Sequence, residues 1–492
     1  MAARAGAGRY VPCRRPRWTT IRGVVTPADV PDEAPGRPRR DGREPAAADP
    51  STAAATLSAR RFRTFDSVID VPAFRWYLLS MTGNWSAMQM QQVARSFLAY
   101  QITGSFAALG FVELANSAPR VLLSLYGGVV ADRSSRRVII QIGQAFSAST
   151  AVVIAALLFL DMLRFEHLVL MALLQGIVNS FALPARQSMI PEVVGVERLM
   201  NAFALNVFSL NMMRLVAPGL AGIIIAVAGP AWVFTLMAFL NLLASVTMFR
   251  VPKVNAAQRA ATREALEAAA ESGAIKPRRG GVHGSGGRGG RASLQDIRDA
   301  LSYLRGQRVL MWLLVIHGLS SMLALPYQRL LSGFVDEVLS SNADETALLM
   351  GWLLTATAVG ALAGSLLIAS MSPRRRGLLL IGSLVVFGTT MLAFAASTNI
   401  WLSLGIVMIL GIGQAGRQSL VSILIQTGVD DAFRGRISSI MQLEDGIESL
   451  GIFMIALLAE AVGPQIALGS VALTMLAMAA LLFATRTIRT LQ

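Results

Sequence analysis

The chain is 492 residues long, 54% hydrophobic and only 15% charged, against roughly 25% charged for an average soluble domain, which excludes a water-soluble globular fold. Its net charge of +15 would suit a nucleic-acid binder, but the basic residues sit mostly in the tails and in alternate loops, where they set topology and meet anionic lipid, so no nucleic acid is expected. One cysteine, Cys13, and three histidines exclude a disulfide framework and a Cys- or His-based metal site, and nothing points to a cofactor.

Residues 1–72 are rich in Arg, Pro and Ala and lack apolar periodicity, which predicts a disordered basic cytoplasmic tail. No apolar core of roughly 7–15 residues precedes a cleavage site, so this segment does not read as a secretory signal. Twelve apolar spans follow, at about 74–101, 105–131, 137–160, 165–189, 201–227, 231–250, 308–332, 345–371, 376–396, 400–427, 436–461 and 464–485. Several contain long runs without a charge, such as Val138–Leu160 with 23 residues and Gly377–Gly416 with 40. A helix rising ~1.5 Å per residue needs about 20 such residues to cross ~30 Å of hydrocarbon. The spans divide six and six, 73–250 and 308–486, around a cytoplasmic linker, 251–307. That linker is Gly/Arg-rich from Arg278 to Arg291 and ends in a short amphipathic helix opened by Ser293. Residues 487–492 form a second cytoplasmic tail.

Orientation follows from the loops. One set carries Arg133, Arg136 and Arg137, then Arg186 and Arg198, then Arg374, Arg375 and Arg376, then Arg434 and Arg436. The opposite set carries Arg164, with Arg329 near a span end, and acids such as Asp336, Glu337 and Glu345. The excess of arginine marks the inner side, which places both termini in the cytoplasm of a multi-pass plasma (inner) membrane protein.

Charges inside the spans cost about 2.5–3.5 kcal/mol each at the helix centre, so they are functional or paired. Arg95 in span one and Glu113 in span two lie at similar depth from the same side, so either a structural salt bridge or a titrating cavity carboxylate fits them. Arg120 follows Glu113 on the same face, and Arg214 lies near the middle of span five. Glu444, Asp445 and Glu448 cluster in span eleven, where three neighbouring acids cannot all be charged cheaply in a poor dielectric. Arg417 of span ten lies at the same depth as that cluster and is expected to hold one of its carboxylates ionised. His317 reads as a hydrogen-bonded core residue rather than a proton relay.

Between spans two and three runs Gly127-Gly128-Val129-Val130-Ala131-Asp132-Arg133-Ser134-Ser135-Arg136-Arg137. It resembles the signature loop of the major facilitator superfamily, G-x-L-A-D-R-x-G-R-R, with Ser135 where a glycine is usual. Leu183-Pro184-Ala185-Arg186-Gln187, Ile190-Pro191-Glu192, Arg214 through Pro218-Gly219 to Gly222, and Phe433-Arg434-Gly435-Arg436 resemble the drug and siderophore exporter branch, of the enterobactin-exporter, proton-antiporter type. The Pro218-Gly219 stretch looks like a degenerate form of the antiporter motif of helix five.

The resemblance implies an all-α membrane protein of the major facilitator fold, twelve transmembrane helices in two pseudo-symmetric six-helix halves working by alternating access. It implies that Asp132 faces the start of helix eleven near Gly435, with Gly128, Arg133, Arg136, Arg137, Arg434 and Arg436 completing a gating motif. The function expected is a proton-coupled exporter of an amphipathic small molecule, with protons or another cation, membrane lipids and the substrate as partners, acting as a monomer. An importer or lipid flippase of the same fold stays open, as does a polytopic enzyme or a sensor, although no GxxxxGK[ST] phosphate loop and no HExxH metal motif is present.

Overall fold

The computed structural model describes residues 66–195, 198–253, 307–340, 343–371, 375–429 and 444–485. A short helix α1 (Asp66–Asp70) leads into α2 (Pro72–Thr103), α3 (Phe106–Arg133), α4 (Arg136–Phe159), α5 (Phe165–Val194), α6 (Leu199–Ala228) and α7 (Pro230–Met248). After the linker come α8 (Arg308–Ala324), α9 (Pro326–Phe334) with a π turn (Val335–Leu339), α10 (Ala343–Ser370), α11 (Arg376–Ala396), α12 (Ile400–Gly428), α13 (Glu444–Val462) and α14 (Pro464–Ala484).

Turns fall where the backbone chemistry demands them. Gly104 closes α2 in the left-handed conformation, φ 61°, and Ser105 then caps α3 by accepting from the Ala108 amide at 3.3 Å. Pro230, Pro326 and Pro464 occupy first-turn positions, where a missing N–H costs nothing. Asn399 caps α12 through the amides of Trp401 and Leu402.

Among the described residues, ten runs are long and apolar enough to cross a membrane, and one of them, Val309–Leu339, combines α8, α9 and the π turn. Helices α2 and α13, also expected as spans, fall short of that apolarity because α2 is studded with Asn, Gln and Arg and α13 with acids. Span seven is broken at Leu325-Pro326, since a proline inside a helix removes one hydrogen bond and clashes with the preceding turn. Helix α5 runs on through Pro184 and Pro191 to Val194, so Arg186 and Glu192, expected in a loop, lie on helix.

The packing repeats itself with an offset of six spans. Helix α3 packs on α5 as α10 packs on α12, and α4 on α7 as α11 on α14. Close crossings of the first kind are made by glycine: a Cβ at Gly176 would strike the Asn116 backbone, and one at Gly360 would strike Met408. Two large interfaces join the halves, α6 with α10 and α13 with α3, and these again correspond under the same offset, while α9 adds smaller contacts with α2 and α3. A pseudo-two-fold bundle with two seams is the result. The linker residues 254–306, the expected amphipathic helix and the Phe433–Arg436 turn lie outside the described residues.

Candidate functional site

Helix directions alternate, so the bundle has a Gly104 end and an Arg133 end, named for the turns after α2 and α3. The stripe Val207, Asn211, Arg214, Pro218, Gly222 and Ile225 runs along one side of α6 at spacings of three and four. Toward the Gly104 end this stripe is buried against α10: Gly222 abuts Ala347 and Gly351, and Thr355 donates to the Leu215 carbonyl at 3.2 Å. Toward the Arg133 end the same stripe is uncovered, with Val207 51% exposed and Phe208, beside it, 58%. Asn211 and Arg214 are exposed as well. Facing them, α10 continues its own contact stripe into exposed Leu362 and Leu366. The opposite side of α6 stays covered there, Thr82 and Ser209 sharing a 2.7 Å hydrogen bond. Along the α6–α10 seam the halves therefore touch at the Gly104 end, while the facing stripes of α6 and α10 are uncovered toward the Arg133 end.

Three carboxylates tie the halves together at the closed end. Glu113 of α3 binds Arg95 of α2 at 2.8 Å through one oxygen and Arg329 of α9, in the other half, at 3.4 Å through the second. All three are shielded, Glu113 being only 6% exposed. Arg120, two turns along α3, contributes to the same field. Tyr100 donates to Glu337 at 2.6 Å across the seam. Glu460 of α13 accepts from the Phe106 amide at 2.6 Å, the Ala107 amide at 3.2 Å and the Ser105 hydroxyl at 3.0 Å, where the positive end of α3 favours an anion. Beneath these ties Gly333 lets the backbone of α9 pass under the Tyr100 and Phe106 rings.

Deeper in the bundle, Arg214 interacts electrostatically with Glu448 of α13, again across the seam. Arg417 is fully buried and donates to Ser320 at 2.7 Å and to Ser321 at 3.4 Å. Its expected partner is one of Glu444, Asp445 and Glu448, of which the side chains of Glu444 and Asp445 lie outside the described set. Gly446, the next residue, rests on Val121 of α3. Gly219 and Gly222 of the helix-five motif lie at the α6–α10 crossing, with Pro218 buried beside them.

At the Arg133 end, Arg136 binds Glu192 at 2.8 Å and donates to the Ser188 carbonyl at 2.8 Å, tying the start of α4 to the last turns of α5. Arg137 donates to the Phe249 carbonyl and stacks on the Phe249 ring at 5.7 Å. Arg186, read from sequence as a loop charge, is buried over Trp85 instead. The side chains of Asp132 and Arg133 and the residues Arg434, Gly435 and Arg436 lie outside the described set, and Gly128 is placed only as backbone within α3. Sequence reasoning missed Glu460 and the seam role of Arg329.

The proteins that such a bundle of two matched halves is similar to are multi-pass transporters and not enzymes. Residues 67–275 match the family model described as transmembrane secretion effector, and residues 230–399 match that of the Organic Anion Transporter Polypeptide (OATP) family. The multidrug efflux pump Tap of Mycolicibacterium fortuitum is 25% identical over 381 residues, 75% of this chain and 85% of that protein. The enterobactin exporter EntS of Salmonella paratyphi A is 26% identical over 37% of this chain and 44% of that protein. The staphyloferrin A transporter of Staphylococcus aureus is 24% identical over 30% and 37% respectively, so each of these last two is matched over less than half its length. Among solved structures, the nucleoside transporter NupG superposes with a TM-score of 0.61 at 12% identity over 84% of this chain and 98% of that one. A bacterial homologue of the lysosomal transporter Spinster, in an inward-facing, unoccupied conformation, gives 0.62 at 13% identity over 84% and 96%. By sequence the chain is similar to drug and siderophore exporters, and by fold to transporters of the major facilitator kind.

Proposed function

We propose that this protein is a proton-coupled secondary exporter that carries an amphipathic small molecule, such as a drug, antibiotic or siderophore, out of the cytoplasm by alternating access. The observation that carries the reading is the α6 stripe, buried against α10 at the Gly104 end and open at the Arg133 end. Two halves that meet along one continuous helix face can exchange which end of it is covered by rocking, at little cost to the core of either half. The arginine-rich loops make the Arg133 end cytoplasmic, so the open cleft faces the side from which an exporter loads. Val207 and Phe208 offer apolar surface in that cleft and Asn211 and Arg214 offer polar groups, a mixture suited to an amphipathic substrate. The relatives named as efflux pump and exporters support the direction.

Within this reading Arg214, Arg417, Glu444, Asp445 and Glu448 form the mid-membrane charge set, and Arg95, Glu113 and Arg120 the outer one. Asp132 with Gly128, Arg133, Arg136, Arg137, Arg434, Gly435 and Arg436 forms the cytoplasmic gate. The test is accumulation of dyes, antibiotics and siderophores in everted membrane vesicles with an imposed pH gradient. Uptake that collapses with the gradient supports the reading, and uptake indifferent to it or absent for every class overturns it.

A further inference from the structure

The Glu113 carboxylate is divided between the two halves of the protein. One oxygen belongs to Arg95, at 2.8 Å, which sits in the same half and moves with Glu113. The other belongs to Arg329, at 3.4 Å, which sits in the opposite half and leaves when the Gly104 end opens. The remaining charged groups around it are Arg120 on its own helix and, nearer the membrane surface, Tyr100 with Glu337, Asp336 and Glu460. Helix α5 meets α3 through Gly176 and Ser180, and α13 meets it through Phe453, Ala456 and Gly446, none of them charged, the described charges of α13 being Glu448 and Glu460. A small cleft bordered by Ser96, Ala99, Leu109 and Val112 reaches the three charged side chains.

We propose that Arg329 is a positioning residue that makes proton binding at Glu113 depend on which end of the transporter is open. This rests on the exporter reading for its purpose but not for its chemistry. A shielded carboxylate stays ionised when guanidinium groups flank it and takes up a proton more readily when one is withdrawn. With the Gly104 end closed, both guanidinium groups are in place and the carboxylate holds no proton. Opening that end withdraws Arg329, keeps Arg95 and admits outside water, so a proton from that water binds a Glu113 oxygen. Closing returns Arg329, which drives the proton from the Glu113 oxygen to water in the small cleft beside it. Glu337 and Glu460 also cross the seam, but both are exposed and neither is flanked by two arginines.

The experiment needs no substrate. In sealed membranes, a chain with Cys13→Ser and Ser96→Cys is labelled by an impermeant thiol reagent from outside across a range of pH. Ser96 is 8% exposed in this closed-end state, so labelling reports opening. In the parent chain labelling, divided at each pH by that of an always-exposed cysteine because only the thiolate reacts, should rise at least roughly tenfold as external pH falls, the effect of losing one cation of a pair on a carboxylate. Glu113→Gln and Arg329→Gln should both give high labelling that no longer follows pH, and Arg329→Lys should restore the pH dependence. If Arg329→Gln raises labelling but leaves the pH profile of the parent, Arg329 is only a lock and the proposal fails. A parent chain whose labelling ignores pH also overturns it. Should Arg329→Gln not reach the membrane, Arg329→Lys against Glu113→Gln decides the same point. Loss of gradient-driven export with this pH profile intact would sink the exporter reading and spare this one.

Discussion

Glu460, near the end of α13, occupies the N-terminus of α3 and accepts the Phe106 amide at 2.6 Å, so a side chain of one half satisfies first-turn amides that the Ser105 cap of the other half leaves open. A helix starts with backbone N–H groups that have no partner within it, and a carboxylate there gains from both hydrogen bonds and the helix dipole. Replacing Glu460 with Gln keeps the shape and removes the charge. The closed state should lose about 1 kcal/mol, so labelling of the Ser96→Cys reporter from outside should rise roughly fivefold at neutral pH. Unchanged labelling would mean that Glu460 caps the helix without latching the halves.

The Arg136–Glu192 pair makes a separate claim about the opposite end. Glu192 is nearly buried, its side chain 5% exposed, while Arg136 is 19% exposed. Removing one partner of such a pair strands the other charge, which costs up to about 3–5 kcal/mol when burial is complete. Arg136→Gln and Glu192→Gln should each lower the unfolding temperature in detergent by several degrees. The double exchange Arg136→Glu with Glu192→Arg should recover part of that loss, because the distance is kept while the backbone partner at Ser188 is not. Equal losses in single and exchanged variants would show that the fork on the Ser188 carbonyl, not the ion pair, holds α4 to α5.

Length and apolarity made most spans legible in the sequence, because crossing hydrocarbon leaves a chain few alternatives to an apolar helix. What was not legible came from partners distant in sequence. Arg186 and Glu192 read as loop charges because prolines flank them, yet α5 continues past both prolines and their heads find Trp85 and Arg136. Arg95 and Glu113 could be matched by depth alone, since they lie on consecutive helices. Arg329 could not, because its approach to Glu113 depends on the break at Pro326 and on closure of the seam between halves.

Topology can be tested on two described turns. Asp161, at positive φ in the turn after α4, belongs to the Gly104 end, and exposed Ser134 to the Arg133 end. With Cys13 removed, a cysteine at Asp161 should react with an impermeant thiol reagent added to intact cells, and one at Ser134 should react only after the membrane is opened. The reverse pattern would turn the whole molecule over, and the cleft with it.

The α6–α10 crossing tests the rocking itself. Gly222 has no room for a side chain in this state: a Cβ there would lie 2.6 Å from the Ala347 carbonyl oxygen and 3.2 Å from the Gly351 Cα. Both neighbours are backbone, so the strain of Gly222→Ala cannot be relieved by turning a rotamer. It can be relieved by parting the halves at the Gly104 end, at the expense of the Glu113, Glu337 and Glu460 ties. Overpacking typically costs about 1–3 kcal/mol, comparable to those ties, so the balance should move toward the outward-open state. Outside labelling of the Ser96→Cys reporter should rise roughly tenfold, and labelling of a cysteine at Asn211, which lies on the uncovered half of the same stripe, should fall when assayed in everted vesicles. The two changes must be opposite in sign. A variant in which both positions become more reactive would have lost its packing altogether, and one in which neither changes would show that α6 and α10 do not separate along this face.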